Sequence, residues 1–259
     1  MEKVSFKEYF KERRTHKIFM VIVIAYLLLC ISSAIYWCID FQARNLFMSL
    51  VFSLIAPLVF CVEYIFKFRF GELFTSLMLF LAFGAILGSC FNVYTTLPSF
   101  DTLLHGLSGI IFACLGFSFA EKFFGKADSP KTFWGCLIFS ICFSLSIALI
   151  WEIFEYVCTS FFGLDMMEDA YVSNINSYLL SGSHTETVEL DGIVKTMIFY
   201  GDNQVYTING YLDLGLIDTL TDMIVCFIGT LIFFGTTIFS YYKAPKLNTI
   251  FIPQTKHDK

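Results

Sequence analysis

Six apolar blocks, each about 20 residues long, leave this chain few ways to fold. They run Ile18–Ile39, Leu46–Phe66, Leu73–Phe91, Thr102–Ala120, Phe133–Val157 and Leu216–Tyr241. A helix of that length crosses about 30 Å of hydrocarbon. An isolated strand would leave its backbone donors and acceptors unpaired in lipid, so each block is expected to be a helix. Composition agrees: 57% of the 259 residues are hydrophobic and 15% charged, against about 25% charged in an ordinary soluble domain. The expected fold class is an all-α membrane protein, a polytopic bundle of six transmembrane helices with a small strand-rich extracytoplasmic loop insertion.

Lys and Arg orient the bundle. Of the 17, all but Arg44 and Lys195 fall on one side of it. Lys3, Lys7, Lys11, Arg13, Arg14 and Lys17 precede the first block, and Lys67 and Arg69 separate the second and third. Lys122, Lys126 and Lys131 separate the fourth and fifth, and Lys243, Lys246, Lys256 and Lys259 follow the sixth. Cytoplasmic segments carry such an excess. A basic segment 1–17 and a tail 242–259 are therefore expected in the cytoplasm of a cell-membrane protein, with 158–215 outside. Ser32-Ser33-Ala34 offers a small-residue patch of the kind signal peptidases cut. The block continues past it to Trp37, too long for a signal sequence, so an uncleaved first span is expected.

The nine cysteines form no C-x-x-C pair and fall almost entirely in apolar blocks, where cysteine behaves as a small hydrophobe. No disulfide framework or zinc–thiolate site is expected, and no nucleic-acid partner. The 32 phenylalanines read as lipid-facing bulk. The outer segment is too long for a simple connection. In it TVEL and IVKTMIFY flank Asp191-Gly192, a hairpin signal, and a second turn, GDNQ, precedes VYTI. Asp165, Glu168 and Asp169 read as a solvated loop. Glu63, one turn before Lys67, reads as an interfacial i,i+4 pair.

The chemistry lies where charges enter the grease. Asp101 and His105, in DTLLHGLSG, are four apart and share a helix face. Ser108 and Gly109 follow, small enough for another helix to come close. Glu152 and Glu155, in LIWEIFEYV, are three apart, flanked by Trp151 and Tyr156. Asp218 and Asp222 are again four apart in GYLDLGLIDTLTDMIVCFIG, with Asp213 before them and Gly229 after. All three pairs fall at the outer end of their helices. Charges in a bilayer cost several kcal/mol unless paired or hydrated, so protons, a divalent cation or water must offset these five carboxylates. Single residues have plainer readings. Asp101, Asp213 and Asp218 suit helix N-termini, Glu155 can snorkel, and a lone His105 can be a packing residue. Glu152, near the C-terminal end of its block, is opposed by the helix dipole. Asp222 sits a turn inside an apolar run.

The blocks D-x-x-x-H-x-x-S-G, W-E-x-x-E and G-Y-L-D-x-G-L-x-D-T-x-x-D resemble those of bacterial YjdF-like integral membrane proteins, whose biochemical function is unknown. More distantly they are similar to VanZ-like proteins, linked to teicoplanin resistance. The resemblance covers about residues 70 to 235 and implies Asp101, His105, Trp151, Glu152, Glu155, Asp218 and Asp222 as the polar positions. Where that pattern often has asparagine, four residues after the last aspartate, this chain has Cys226. The stretch from Glu168 to Gly210 looks like an insertion.

Three functions fit. One is an enzyme at the outer leaflet, with Mg, Mn or Zn held by His105, Glu152, Glu155, Asp218 and Asp222. Catalytic roles then fall to His105, Glu152 and Asp222, and Trp151, Asp101 and Glu155 contact a lipid or envelope-precursor ligand. The second is a non-enzymatic binding or structural envelope protein. The third, an ion or small-solute carrier, ranks lowest, because no charges line the inner half and no inverted repeat is visible.

Overall fold

The computed structural model describes residues 5–97 and 99–243, and the backbone of 254–255. Six helices are long and apolar enough to cross a membrane. They are α2 (Lys17–Ile39), α3 with α4 (Ala43–Ser53 and Ile55–Phe66), α5 (Glu72–Phe91), α7 (Ser99–Phe124), α8 (Pro130–Phe162) and α10 (Leu216–Lys243). Short helices α1 (Phe6–Arg13), α6 (Val93–Thr96) and α9 (Tyr178–Ser181) complete the helical set among the described residues. The polytopic helical architecture expected from the apolar blocks is therefore present.

Local chemistry sets the element ends. The second span breaks between α3 and α4, where Pro57 lacks the N–H that would bond to Ser53 and its ring crowds that carbonyl. The α8 helix opens on Ser129, whose Oγ accepts from Thr132 N at 3.2 Å, with Pro130 at the first helical position. At 33 residues, α8 is about 50 Å long, well beyond one hydrocarbon thickness. It runs past Val157 to Phe162, so Cys158–Phe162 belongs to the helix and not to the loop expected from residue 158.

By contact the chain forms two compact units, Met1–Ile150 with Met223–Lys259, and Trp151–Asp222. In the first, α2 packs on α3 and α5, and α5 on α7. Tyr26 Oη donates to Phe52 O at 2.6 Å, and Ser33 and Ser49 share a hydrogen bond of 2.8 Å. Many phenylalanines expected in lipid are instead core. Phe19, Phe68, Phe117 and Phe133 are fully or almost fully buried, and Phe133 stacks on Tyr241 with centroids 3.9 Å apart. Ring faces fill helix-to-helix space that Leu would leave open.

One end of this unit gathers α1, β1 (Phe68–Arg69) and β8 (Gln254–Thr255), because α1 touches α4 and β1 pairs antiparallel with β8. Glu63 anchors the group and corrects the expected pairing with Lys67. It is wholly buried and bonded by Arg13 Nη2 at 2.8 Å, by Tyr9 Oη and by Phe70 N at 2.6 Å. Arg13 Nη2 also donates to Phe70 O at 2.7 Å, and its guanidinium lies 3.5 Å over the Phe19 ring. Lys67 is exposed; it caps α4 in a left-handed conformation that turns the chain into β1. Burial pushes the Tyr9 phenol's pKa up, and Glu63 adds to the shift, so Tyr9 remains a donor.

The second unit holds three strand pairs: β2 (Tyr171–Val172) with β7 (Tyr211–Leu212), β3 (Ile175–Ser177) with β4 (Val188–Leu190), and β5 (Lys195–Tyr200) with β6 (Gln204–Asn209). The GDNQ turn closes the β5–β6 hairpin, Tyr200 facing Gln204. The expected hairpin about Asp191-Gly192 does not form. A turn occurs there, with Gly192 at φ +67°, but β4 pairs back to β3, Leu190 facing Ile175. Asp165, Glu168 and Asp169 are exposed, as a solvated loop would be.

Candidate functional site

Asp101 lies in the first turn of α7, where a carboxylate complements the helix dipole. One turn on, His105 Nε2 stands 3.6 Å from Asp101 Oδ1, with both side chains partly buried. Below them α7 meets α10 at backbone distance. A Cβ on Gly109 would fall 2.0 Å from Cys226 O, and one on Gly229 would fall 2.0 Å from Gly106 O. Only glycine permits both approaches, the close packing that small residues allow between membrane helices.

A knot of hydroxyls fastens a third helix to that contact. Ser144 Oγ on α8 donates to Gly109 O at 3.1 Å and shares a hydrogen bond of 2.9 Å with Thr230 Oγ1. Thr230 Oγ1 also lies within bonding distance of Cys226 O, at 3.0 Å, and of Gly109 O, at 3.4 Å. Ser108 Oγ donates to His105 O at 2.7 Å and reaches Cys226 Sγ at 3.7 Å. Cys226 thus takes up a hydroxyl contact at the position where the resemblance expects asparagine.

On each helix the same number of residues separates an acid from this knot. Asp101 is eight residues from Gly109, Asp222 eight from Thr230 and Glu152 eight from Ser144. Each interval is about 12 Å of helix axis. His105 and Cys226 lie four residues from Gly109 and Thr230 respectively.

Asp101, His105 and Asp222 each offer a ligand atom, and the three atoms lie within 4.8 Å of one another. Asp222 is buried, at 4% exposure. The cluster joins one expected catalytic pair, His105 and Asp222, to Asp101, which was expected on the substrate side. Glu152, Glu155 and Asp218 are not members of that group. Glu152 and Glu155 are both buried, at 6% and 8% exposure, and Trp151 is half-buried with its ring 5.5 Å from that of Phe154. The dipole argument for Glu152 is corrected by the length of α8. Ten residues follow Glu152 before the helix ends at Phe162, so burial rather than the helix terminus makes its charge costly.

Two acids take up backbone donors. Asp213 Oδ1 accepts from Ala170 N at 2.8 Å and Gly215 N at 3.2 Å, and its Oδ2 from Ile217 N at 2.7 Å. Burial alone would raise its pKa, but these amides outweigh it and hold the carboxyl below its usual value. Asp218 Oδ2 accepts from Glu168 N at 3.0 Å. Sequence reasoning missed the buried Glu63–Arg13 pair and the role of Ser144 and Thr230. For the last two the signal was present, as hydroxyls eight residues from Glu152 and Asp222 in apolar runs.

A family model described as predicted membrane protein (DUF2238) matches residues 18–243. No curated protein and no solved structure matches the chain.

Proposed function

The chain belongs to the family described as predicted membrane protein (DUF2238), and from that premise we propose that it holds an outward-facing site for a divalent cation, built on Asp101, His105 and Asp222. One observation carries the reading: a histidine and two acids from distant parts of the chain bring their ligand atoms within 4.8 Å of one another. Nitrogen and carboxylate donors suit Zn or Mn, and carboxylates suit Mg. A cation would also offset the cost of holding these acids in an apolar bundle.

Three protein ligands leave a position for water or a phosphate oxygen. A bound cation there supplies Lewis-acid polarisation and an activated water. Glu152, eight residues along α8 from Ser144, is the acid–base group of this reading, with Glu155 and Trp151 as its ligand-contacting residues. The substrate class is the head group of an envelope lipid or a lipid-linked precursor, which reaches such a site from the outer leaflet. Both termini are cytoplasmic in this reading, on the Lys and Arg distribution. The resemblance of the three blocks to YjdF-like proteins supports a polar site at these positions.

A second reading, a binding or structural protein without chemistry, draws on Asp213 and Asp218, whose carboxylates accept backbone amides. Thermal melting separates the two. Chelator-treated wild type should gain stability when Mn, Zn or Mg is returned, and His105→Ala should express normally but gain none. Equal gain in both proteins removes the cation site. Loss of folded His105→Ala in the membrane favours the structural reading.

A further inference from the structure

The first helix offers a surface that the proposed site does not use. Helix α1 ends at Arg13 and the first span begins at Lys17, so α1 sits at the bilayer surface by chain connection alone. It is also fastened there. Tyr9 and Arg13 reach the buried Glu63 near the end of α4, and Phe6 and Phe10 pack on Tyr64 and Phe60 with ring centroids 5.2 and 5.4 Å apart. That uses the face carrying positions 6, 9, 10 and 13. Lys7, Lys11 and Arg14, spaced i, i+4 and i+7, form a stripe on the other side, and all three are exposed.

The acids of α1 do not neutralise this stripe. Glu8 is drawn back to Ser5, whose backbone N donates to it at 2.9 Å in a capping box. Glu12 is held by Arg69 Nη2, 3.0 Å from each of its oxygens. Among the described residues no ion pair reaches Lys7, Lys11 or Arg14, so this exposed face of α1 is positive.

We propose that Lys7, Lys11 and Arg14 form a binding surface for anionic phospholipid head groups of the leaflet that α1 lies against. Charge complementarity and enforced proximity select this occupant. A basic residue near an anionic surface is worth about fivefold in binding, equivalent to about 1 kcal/mol. The clamp on Glu63 removes the freedom that α1 would otherwise lose on binding.

The test uses the full-length protein in nanodiscs of phosphatidylcholine mixed with phosphatidylglycerol. Lipid retained after gentle release is quantified by native mass spectrometry. Wild type should retain phosphatidylglycerol above its bulk proportion. K7Q/K11Q/R14Q should lose that enrichment, with single substitutions reducing it about fivefold each. These exposed positions carry no internal bonds of the clamp, so the variants should melt like wild type in detergent. Lys195→Gln, on the second unit, should leave the enrichment unchanged. Equal enrichment in wild type and the triple variant overturns the proposal, as does an enrichment that Lys195→Gln alone abolishes.

Discussion

Gly109→Ala tests the backbone contact between α7 and α10. The added Cβ would stand 2.0 Å from Cys226 O, 2.9 Å from Cys226 C and 3.0 Å from Thr230 N. Ordinary contact begins near 3.4 Å, so α7 and α10 must part by roughly 1.4 Å in a region already packed to crystal density. Overpacking of this kind costs about 1–3 kcal/mol. Parting also weakens the bonds that Gly109 O accepts from Ser144 and Thr230, each worth about 0.6 kcal/mol between membrane helices. Alanine's better helix propensity returns about 1 kcal/mol. The net loss is about 1–3 kcal/mol, or about 2–12 °C in melting temperature at 2–4 °C per kcal/mol for a chain of this size.

The control is Gly135→Ala, in the interior of α8 with nothing within 4 Å of its added Cβ. There only propensity acts, and the melting temperature should rise. Thermal denaturation in detergent, followed by helical circular dichroism, reads both variants. Opposite signs support the backbone contact. A Gly109→Ala protein at least as stable as wild type would refute it.

Three further outcomes follow from the same geometry. Arg13→Met leaves Glu63 buried without its cation and should cost about 3–5 kcal/mol, whereas Arg13→Met with Glu63→Leu should recover most of that; denaturation of the single and double variants reads the difference. Asp213 has a depressed pKa, so its stabilisation is complete above the unfolded value near 3.9 and is lost as pH falls through the lower folded value. Asp213→Asn should flatten the acid limb of the stability profile and speed amide exchange at Ala170 and Ile217; an unchanged acid limb contradicts this. Asp218→Asn keeps an acceptor for Glu168 N and should leave cation binding intact, as read by the return of stability after chelation.

The bilayer made most of the fold legible. A span must be long, apolar and helical, so six blocks in the sequence became six helices with few other options. Helix periodicity likewise paired Asp101 with His105, and Asp218 with Asp222. Contacts between distant segments stayed hidden. Glu63 has a lysine one turn away in sequence, yet its partner is Arg13, 50 residues earlier, and only folding brings α1 to the end of α4. The Asp191-Gly192 turn is real, but a turn signal does not say which strand β4 will join. Glu152 was read against a helix end that lies ten residues further on, because Cys158–Phe162 is apolar enough to extend α8 and too short to declare itself. Ser144 and Thr230 are single members among several hydroxyls in apolar runs, and their meaning appears only once both reach Gly109 O.

The central claim is the cation site, and elemental analysis of purified protein tests it most directly. Wild type, His105→Ala, Asp222→Asn and Asp218→Asn would be prepared side by side from the same growth medium and supplied with Mg, Mn and Zn before removal of free metal. The account predicts a stoichiometric divalent metal in wild type and Asp218→Asn, and its loss from both His105→Ala and Asp222→Asn at unchanged yield. A wild type without bound metal, or metal retained equally in all four proteins, would contradict it.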